Sequence, residues 1–398
     1  MWYNRQEWDV PIRKVGIGVT QFNLIATATF GLESLVADEV RKLGYDEISV
    51  ENGKVNFVGD ELAICRTNLW LRTAARVRIK VGEFTAVTFD ELFEKTKALP
   101  WADFLPKNAE FPVEGRSVQS TLFSVSDCQA IVKKAVVESM KKKHKIEWFP
   151  EDGPLYKIEV ALLKDTATLT IDTTGPGLHQ RGYRALAAGA PLKETLAAAM
   201  LILARWYPDI ALIDPFCGSG TIPIEAALMG HNIAPGLRRD FASSNWPLID
   251  EKYWKQAREE AHDAVNPEKP DYLIGTDIDD RALRIARHNA EQAQVADSIH
   301  FQRIPVQEIS SSKKYGKIIT NPPYGERLGE RDEVGELYKD MAKVFRTLDT
   351  WSYYILTSYP QFEKIFGGRA TKRRKLYNGN IETQYYQYYG PRPPKRQA

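Results

Sequence analysis

The chain is poor in the residues that staple or chelate. Three cysteines, Cys65, Cys128 and Cys217, are scattered through 398 residues. That number and spacing exclude a disulfide scaffold, offer no thiolate zinc site and suit a reducing compartment. The six histidines fall at no ligand spacing, so no metal is expected. No apolar run approaches the roughly 18 residues that cross a bilayer. The first 18 residues lack a signal-peptide core, because Asp9, Arg13 and Lys14 interrupt them. The expectation is a cytoplasmic chain with no membrane partner. Gly 26 and Pro 22 are too few for a collagen-like or low-complexity chain. Neither sign of charge dominates, with 54 Lys and Arg against 52 Asp and Glu, so bulk charge selects no partner.

What is present is an ordinary apolar complement. Hydrophobic residues make up 43% of the chain, enough to offset chain entropy and exclude disorder. The length suits roughly two to three domains of about 150 residues. Basic residues are clustered although the total is near neutral. Lys133, Lys134, Lys141, Lys142, Lys143 and Lys145 fall on or beside one predicted helix, and Arg369, Lys372, Arg373, Arg374 and Lys375 form a second cluster. Arg392, Lys395 and Arg396 form a third. Such clustering fits a polyanion-binding surface, or a solvated helix face with a frayed tail.

Periodicity divides the chain. Residues 1–21 show no clear period and read as a leader. Strands are predicted over 24–29 and 55–58, with helices over 32–43 and 61–71; Asp60 is placed to cap the second helix. Strands over 77–84, 117–120, 156–163 and 167–172 alternate with helices over 89–98 and 127–143. From residue 192 onward the pattern becomes strand–helix–strand, the signature of a doubly wound parallel sheet. Its strands are expected at 211–213, 272–275, 299–302, 317–320 and 351–357. Segments 374–377 and 382–389 flank Asn378-Gly379-Asn380, a tight-turn signal, so an antiparallel hairpin closes the sheet.

Three segments carry chemistry. Asp214-Pro215-Phe216-Cys217-Gly218-Ser219-Gly220-Thr221 lies between a strand and a helix. Its glycines allow a sharp turn and close approach of a ligand. The third glycine of a dinucleotide fingerprint is missing, since Pro223 and Ile224 occupy that region. A carboxylate, two glycines and a helix start suit a zwitterionic nucleoside such as S-adenosylmethionine, or form an ordinary turn. Cys217 contributes a small side chain rather than a nucleophile. Gly275-Thr276-Asp277-Ile278-Asp279 ends the next strand, where an acid can accept bonds from two ribose hydroxyls. Asp280 is equally placed to cap the following helix.

Asn321-Pro322-Pro323-Tyr324 follows the strand over 317–320. Two prolines fix the backbone and remove two N–H donors, leaving carbonyls beside an amide and an aromatic ring. That set fits a planar exocyclic amine. The Asn321 oxygen and the Pro322 carbonyl accept its two hydrogens, and Tyr324 stacks on the base. The nitrogen lone pair is thereby drawn out of conjugation and towards a methyl donor, with proximity supplying most of the rate.

In this order the three segments resemble the motifs of class I S-adenosylmethionine-dependent amino-methyltransferases. The Asn-Pro-Pro-Tyr type is shared by N6-adenine DNA methylases and N2-guanine RNA methylases. Further stretches are similar to the guanine-N2 half of the bifunctional large-subunit rRNA methyltransferase. They are Leu178-His179-Gln180-Arg181-Gly182-Tyr183-Arg184, Ala190-Pro191-Leu192-Lys193-Glu194, Ala234-Pro235-Gly236-Leu237, Trp246-Pro247 and Gly325-Glu326-Arg327-Leu328-Gly329. Residues 66–172 resemble the THUMP RNA-binding domain, with a ferredoxin-like module over 22–65 before it. The family usually has an acid after the third strand, and Arg303-Ile304-Pro305-Val306-Gln307 has none, so adenine contacts there fall to the backbone. The family's second methyltransferase domain is not in this sequence, so one modification is expected.

The resemblance implies a Rossmann-like doubly wound methyltransferase sheet over 173–390 with a C-terminal antiparallel hairpin, preceded by α+β ferredoxin-like and THUMP modules and followed by a basic tail over 391–398. It implies transfer of a methyl group to guanine N2 of structured RNA, 23S rRNA first and tRNA as the rival. N6-adenine DNA methylation and a non-catalytic ribosome assembly factor are the other readings. Catalysis falls to Asn321, Pro322, Pro323 and Tyr324. S-adenosylmethionine falls to Asp214, Pro215, Phe216, Cys217, Gly218, Gly220, Thr221, Asp277, Ile278 and Asn321. RNA contact falls to Lys133, Lys134, Lys141, Lys142, Lys143, Arg181 and Arg184; Arg181, Tyr183 and Arg184 could equally anchor the linker to the sheet.

Overall fold

The computed structural model describes residues 12–15, 19–184, 192–324 and 330–394. These form two compact units. The first holds the described residues up to Ala28, with Val36–Leu178 and Asp240–Glu260. The second holds Thr29–Leu35 and the described residues of His179–Arg239 and Ala261–Ala398. The expectation of a break near residue 173 is therefore amended twice: a short early segment belongs to the second unit, and a segment beyond residue 239 belongs to the first.

The chain runs β1 (Ile12–Val15), β2 (Val19–Ala28), α1 (Glu33–Lys42), β3 (Ile48–Glu51), β4 (Lys54–Gly59), α2 (Glu61–Trp70), β5 (Ala74–Thr85), α3 (Phe89–Lys97), α4 (Trp101–Phe104), β6 (Val113–Val118), α5 (Val125–His144), β7 (Ile158–Leu163) and β8 (Thr166–Asp172). The strands make one sheet in the order β3-β4-β2-β5-β8-β7-β6, with β1 added to β2. Strand β5 pairs with β2 on one side and with β8 on the other. The ferredoxin-like and THUMP segments thus share a sheet, and the boundary expected at residue 65 falls inside α2. The expected leader is also corrected, because β1 pairs antiparallel with β2; four residues are too few to show a period. Asp60 caps α2 by accepting from the Ala63 amide at 2.8 Å, as its position implied.

Segment 240–260 fills part of the first unit's core. Trp246 stacks on Tyr156 at 4.2 Å between ring centroids and donates its indole N–H to the Leu155 carbonyl at 2.9 Å. Arg66 makes a two-pronged bond to Glu260 at 2.7 and 2.6 Å.

The second unit contains α6 (Glu194–Leu203), β9 (Leu212–Asp214) and α7 (Thr221–Gly230). Helix α8 (Glu251–Asp263) comes next in the chain, followed by β10 (Leu273–Asp277), α9 (Asp280–Gln292), β11 (His300–Arg303), β12 (Lys317–Thr320), α10 (Glu330–Thr347), β13 (Ser352–Thr357), α11 (Phe362–Phe366), β14 (Lys372–Asn378) and β15 (Ile381–Tyr388). The sheet order is β11-β10-β9-β12-β13-β15-β14. The first five strands are parallel, and β15 and β14 return antiparallel. Asn378 pairs with Ile381 across a two-residue turn, the hairpin that its Asn-Gly signal implied. Strand order reverses between β9 and β12, and the carboxyl ends of strands at such a switch point are where sheets of this kind bind ligands.

The tryptophan in the borrowed segment tests this assignment. Trp246→Ala is expected to destabilise the first unit by about 3–5 kcal/mol. Amide exchange checks it: protection should fall in β7 and β8 and persist in β9 and β12.

Candidate active site

The glycine turn is pinned on three sides. The Cys217 amide donates to the Thr276 carbonyl on β10 at 2.9 Å, and the Gly218 amide donates to the Asp277 carboxylate at 3.0 Å. The Asn289 side chain on α9 donates to the Ser219 carbonyl at 3.1 Å. Gly220 precedes α7 in the left-handed region, with φ +82°. A Cβ there would come within 3.0 Å of Ala286 and 3.1 Å of Phe301, so only glycine lets helix and strand approach this closely. Gly218, at φ +51°, has no atom within 4 Å of where a Cβ would stand. The turn therefore presents bare backbone to open space.

Two acids border that space. Asp214 ends β9 and is almost completely buried. It accepts from the Thr320 hydroxyl at 2.7 Å and from the Phe216 amide at 3.2 Å. Burial pushes its carboxyl up to about 7, against the pull of these two bonds and with some help from the negative charge of Asp277. Asp277 accepts from the amides of Gly218 and Asp279, both at 3.0 Å. Beside it, Ile278 is 65% exposed, an apolar face next to a carboxylate. Asp279, not Asp280, caps α9 by accepting from the Arg281 amide at 2.8 Å. A buried acid, a bare glycine backbone, a second acid and an exposed isoleucine fit the amino, carboxylate, ribose and adenine groups of S-adenosylmethionine. Cys217 is buried, and burial pushes its thiol well up, which suits a small packing residue.

The Asn321 corner stands one strand away. Strands β9 and β12 are parallel neighbours, with Lys317 level with Leu212 and Ile318 level with Ile213. Thr320, the last residue of β12, is the donor to Asp214. Pro322 is buried and Pro323 exposed. Tyr324 donates its hydroxyl to the Asn321 side-chain oxygen. The Pro323 carbonyl accepts from Tyr338 on α10 at 2.7 Å. Among the described residues the Pro322 carbonyl accepts no hydrogen bond.

The basic candidates divide. Arg181 is 3% exposed and lies 3.3 Å from each carboxylate oxygen of the fully buried Glu225 on α7. Tyr183 donates to the same carboxylate at 3.3 Å. This arginine therefore does not present itself to a polyanion; leaving Glu225 would strand a buried charge. Arg184 donates to the Thr221 hydroxyl at 2.7 Å and the Leu192 carbonyl at 3.0 Å, so it too serves as an anchor beside the glycine turn. On α5, Lys133 is held by Glu151 at 2.7 Å and by the Phe111 carbonyl at 3.0 Å. Lys141 sits between Glu138 and Glu147, and Lys143 bonds Asp103. Lys134 and Lys142 are exposed. The stretches 190–191, 325–329 and 395–398 lie wholly or partly outside the described residues. Sequence reasoning missed Thr320, Glu225 and Tyr338, whose partners are all distant in sequence.

Comparison with known proteins agrees with this geometry. A family model described as RMKL-like, methyltransferase domain, matches residues 181–387. The RlmL ferredoxin-like domain matches 23–78 and the THUMP domain matches 86–172. The Bacillus subtilis (strain 168) protein YpsC, whose name provisionally assigns it to the RNA methyltransferases, is 54% identical over 94% of this chain and 98% of its own length. Ribosomal RNA large subunit methyltransferase K/L of Syntrophotalea carbinolica is 36% identical over 90% of this chain. The chain spans about half of that relative, 52% of its length. The crystal structure of SMU.472, a methyltransferase by provisional assignment and complexed with SAH, superposes with a TM-score of 0.89 at 45% identity, covering 94% of this chain and 99% of that one. The chain belongs to the RMKL-like methyltransferase family, with an RlmL ferredoxin-like domain and a THUMP domain ahead of its methyltransferase domain.

Proposed function

We propose that the chain transfers a methyl group from S-adenosylmethionine to the exocyclic N2 of a guanine in structured RNA, with 23S rRNA as the substrate. The observation that carries this reading is the placement of the Asn321 corner and the Asp214 turn on adjacent parallel strands, joined by the Thr320 bond. When bound, S-adenosylmethionine supplies a methyl group on an electron-poor sulfonium. Asp214 holds the amino group of that molecule, Gly218 gives it room, Gly220 lets the turn pack closely beneath it, and Asp277 accepts from its ribose. The Asn321 oxygen and the Pro322 carbonyl accept the two hydrogens of the guanine amine. Tyr324 surrenders its bond to Asn321 as the amine arrives, then stacks on the base. The target amine is paired or stacked in folded RNA, so the base leaves its stack to reach the corner. Lys134 and Lys142 contact phosphates, joined by Lys141 and Lys143 where phosphate displaces their carboxylate partners. The large-subunit rRNA methyltransferase named among the relatives, together with the THUMP match, favours RNA over DNA.

Nucleoside mass mapping tests the substrate. A strain lacking the protein should lose N2-methylguanosine from one site in 23S rRNA. With purified protein, labelled methyl groups should enter rRNA; labelling of DNA adenine, or of tRNA alone, would reject the proposal. Asn321→Ala should lower transfer by roughly 100- to 1,000-fold, the scale of removing one preorganised polar group. RNA affinity, read by filter binding, should stay within about twofold, since phosphate contacts dominate affinity.

The raised Asp214 carboxyl gives a pH prediction. The folded protein holds this proton more tightly than the unfolded chain, so ionising Asp214 costs stability as pH rises from 3.8 to about 7. The cofactor's ammonium group needs the ionised form. Below about pH 7, affinity for S-adenosylmethionine should therefore weaken as pH falls, approaching tenfold per pH unit, and binding should release a proton. Titration calorimetry over pH 5.5 to about 8.5 reads both effects, and Asp214→Asn should flatten the profile. An unchanged slope in that variant would remove Asp214 from the cofactor site.

A further inference from the structure

We infer that Tyr338 is a positioning residue that aims the Asn321 corner through its hydroxyl; the inference rests on the methyl-transfer reading of that corner. Pro322 and Pro323 have no N–H to donate, so this stretch of backbone can be held only through its carbonyls and flanks. Tyr338 is fully buried, and its hydroxyl lies 2.7 Å from the Pro323 carbonyl. The same hydroxyl lies 2.9 Å from the Thr357 hydroxyl, which accepts from the Tyr359 amide at 3.0 Å.

Proton count fixes the direction of this chain. A carbonyl can only accept, so Tyr338 spends its single hydrogen on Pro323. The Thr357 hydroxyl must then donate to Tyr338 while accepting from Tyr359. Three bonds point one way: Tyr359 N–H to Thr357, Thr357 to Tyr338, Tyr338 to Pro323. Bonds aligned in this manner polarise and strengthen one another in a dry interior. The ring is fixed as well, edge-on to Tyr359 at 5.2 Å and to Phe362 at 5.1 Å.

The sheet places this anchor level with the corner. Thr320 on β12 pairs with Ile355 on β13, so Thr357 lies two residues beyond the pair, just as Pro322 does. With the Pro323 φ confined near −65°, fixing the Pro323 carbonyl narrows the directions open to the Pro322 carbonyl. Tyr338 thus turns one carbonyl inward to the protein and leaves the other for the base.

The test is Tyr338→Phe, which keeps the ring and removes the bond. The single-turnover rate of methyl transfer should fall roughly ten- to 100-fold, the scale of misplacing a reacting group by about 1 Å. The dissociation constant for S-adenosylmethionine and the half-saturating RNA concentration should stay within twofold of wild type. Thr357→Val attacks the same chain from β13 and should lower the rate in the same direction. Thr357→Ser should restore it, and the double variant Tyr338→Phe with Thr357→Val should be no slower than Tyr338→Phe alone. A Tyr338→Phe rate within twofold of wild type overturns the inference. So does a rate loss matched by an equal loss of cofactor affinity, which marks general disruption. Thr357→Val reads the same chain of bonds should the phenylalanine variant fail to fold. All variants are assayed on whichever nucleic acid the wild type labels. A wrong substrate class then shows in the wild type, and a wrong role for Tyr338 shows only in the variants.

Discussion

A single hydrogen bond between neighbouring strands sets the geometry on which everything else in the second unit depends. Thr320 at the end of β12 donates to Asp214 at the end of β9 over 2.7 Å, and both side chains are buried. One residue beyond Thr320 is Asn321; six residues beyond Asp214 is Gly220. The bond therefore fixes the Asn321 amide relative to the glycine turn. The carboxyl is held in a dry place, and burial, against the pull of this bond, leaves an acid poised near neutrality. A group titrating there can gain its charge when a cation arrives, which a permanently ionised surface aspartate would not do so selectively.

Much of the site was legible because it is local. A short polar and proline-rich run after a four-residue strand announces the corner, and β12 runs over the very residues 317–320 that the pattern gave. Asp60 and Asn378-Gly379 likewise act within a few residues of themselves. What stayed hidden depends on partners far along the chain. Trp246 sits in a stretch whose resemblance assigns it to the catalytic half, yet its ring is stacked on Tyr156 of the first unit. Strand β3 is short and mostly exposed, so no alternation marks it. The sequence leaves Arg181 between RNA contact and a linker anchor; its pairing with Glu225, one turn into α7, favours the anchor.

The lysines of α5 show the same limit in electrostatic form. Read along the chain they form a dense positive run. In the fold, Glu151, Glu147 and Asp103 come up against Lys133, Lys141 and Lys143. Exposed pairs of this kind are worth little, so Lys141 and Lys143 can exchange a carboxylate for a phosphate at small cost. Lys133 differs, because it also caps the Phe111 carbonyl and lies 3.4 Å above the Phe111 ring. Its job is to hold the loop that carries Glu151. Charge density in sequence thus overstates the footprint, and hydrogen-bond count in the fold corrects it.

The contact between Tyr324 and Asn321 carries the reasoning one step further. In the proposed reaction the Asn321 oxygen accepts an N–H, and in the free protein it accepts an O–H from Tyr324. The acceptor is satisfied in both states, so the corner need not leave a half-buried oxygen without a partner while it waits for substrate. The exchange also ties the aromatic ring to the amine: the tyrosine is released from Asn321 only as a base takes its place, and a released ring beside a planar base is free to stack. Meanwhile the Pro323 carbonyl stays bound to Tyr338 and does not take part in the exchange. One carbonyl held fast and one acceptor traded between hydroxyl and amine allow the ring to move while the backbone that aims the chemistry stays still.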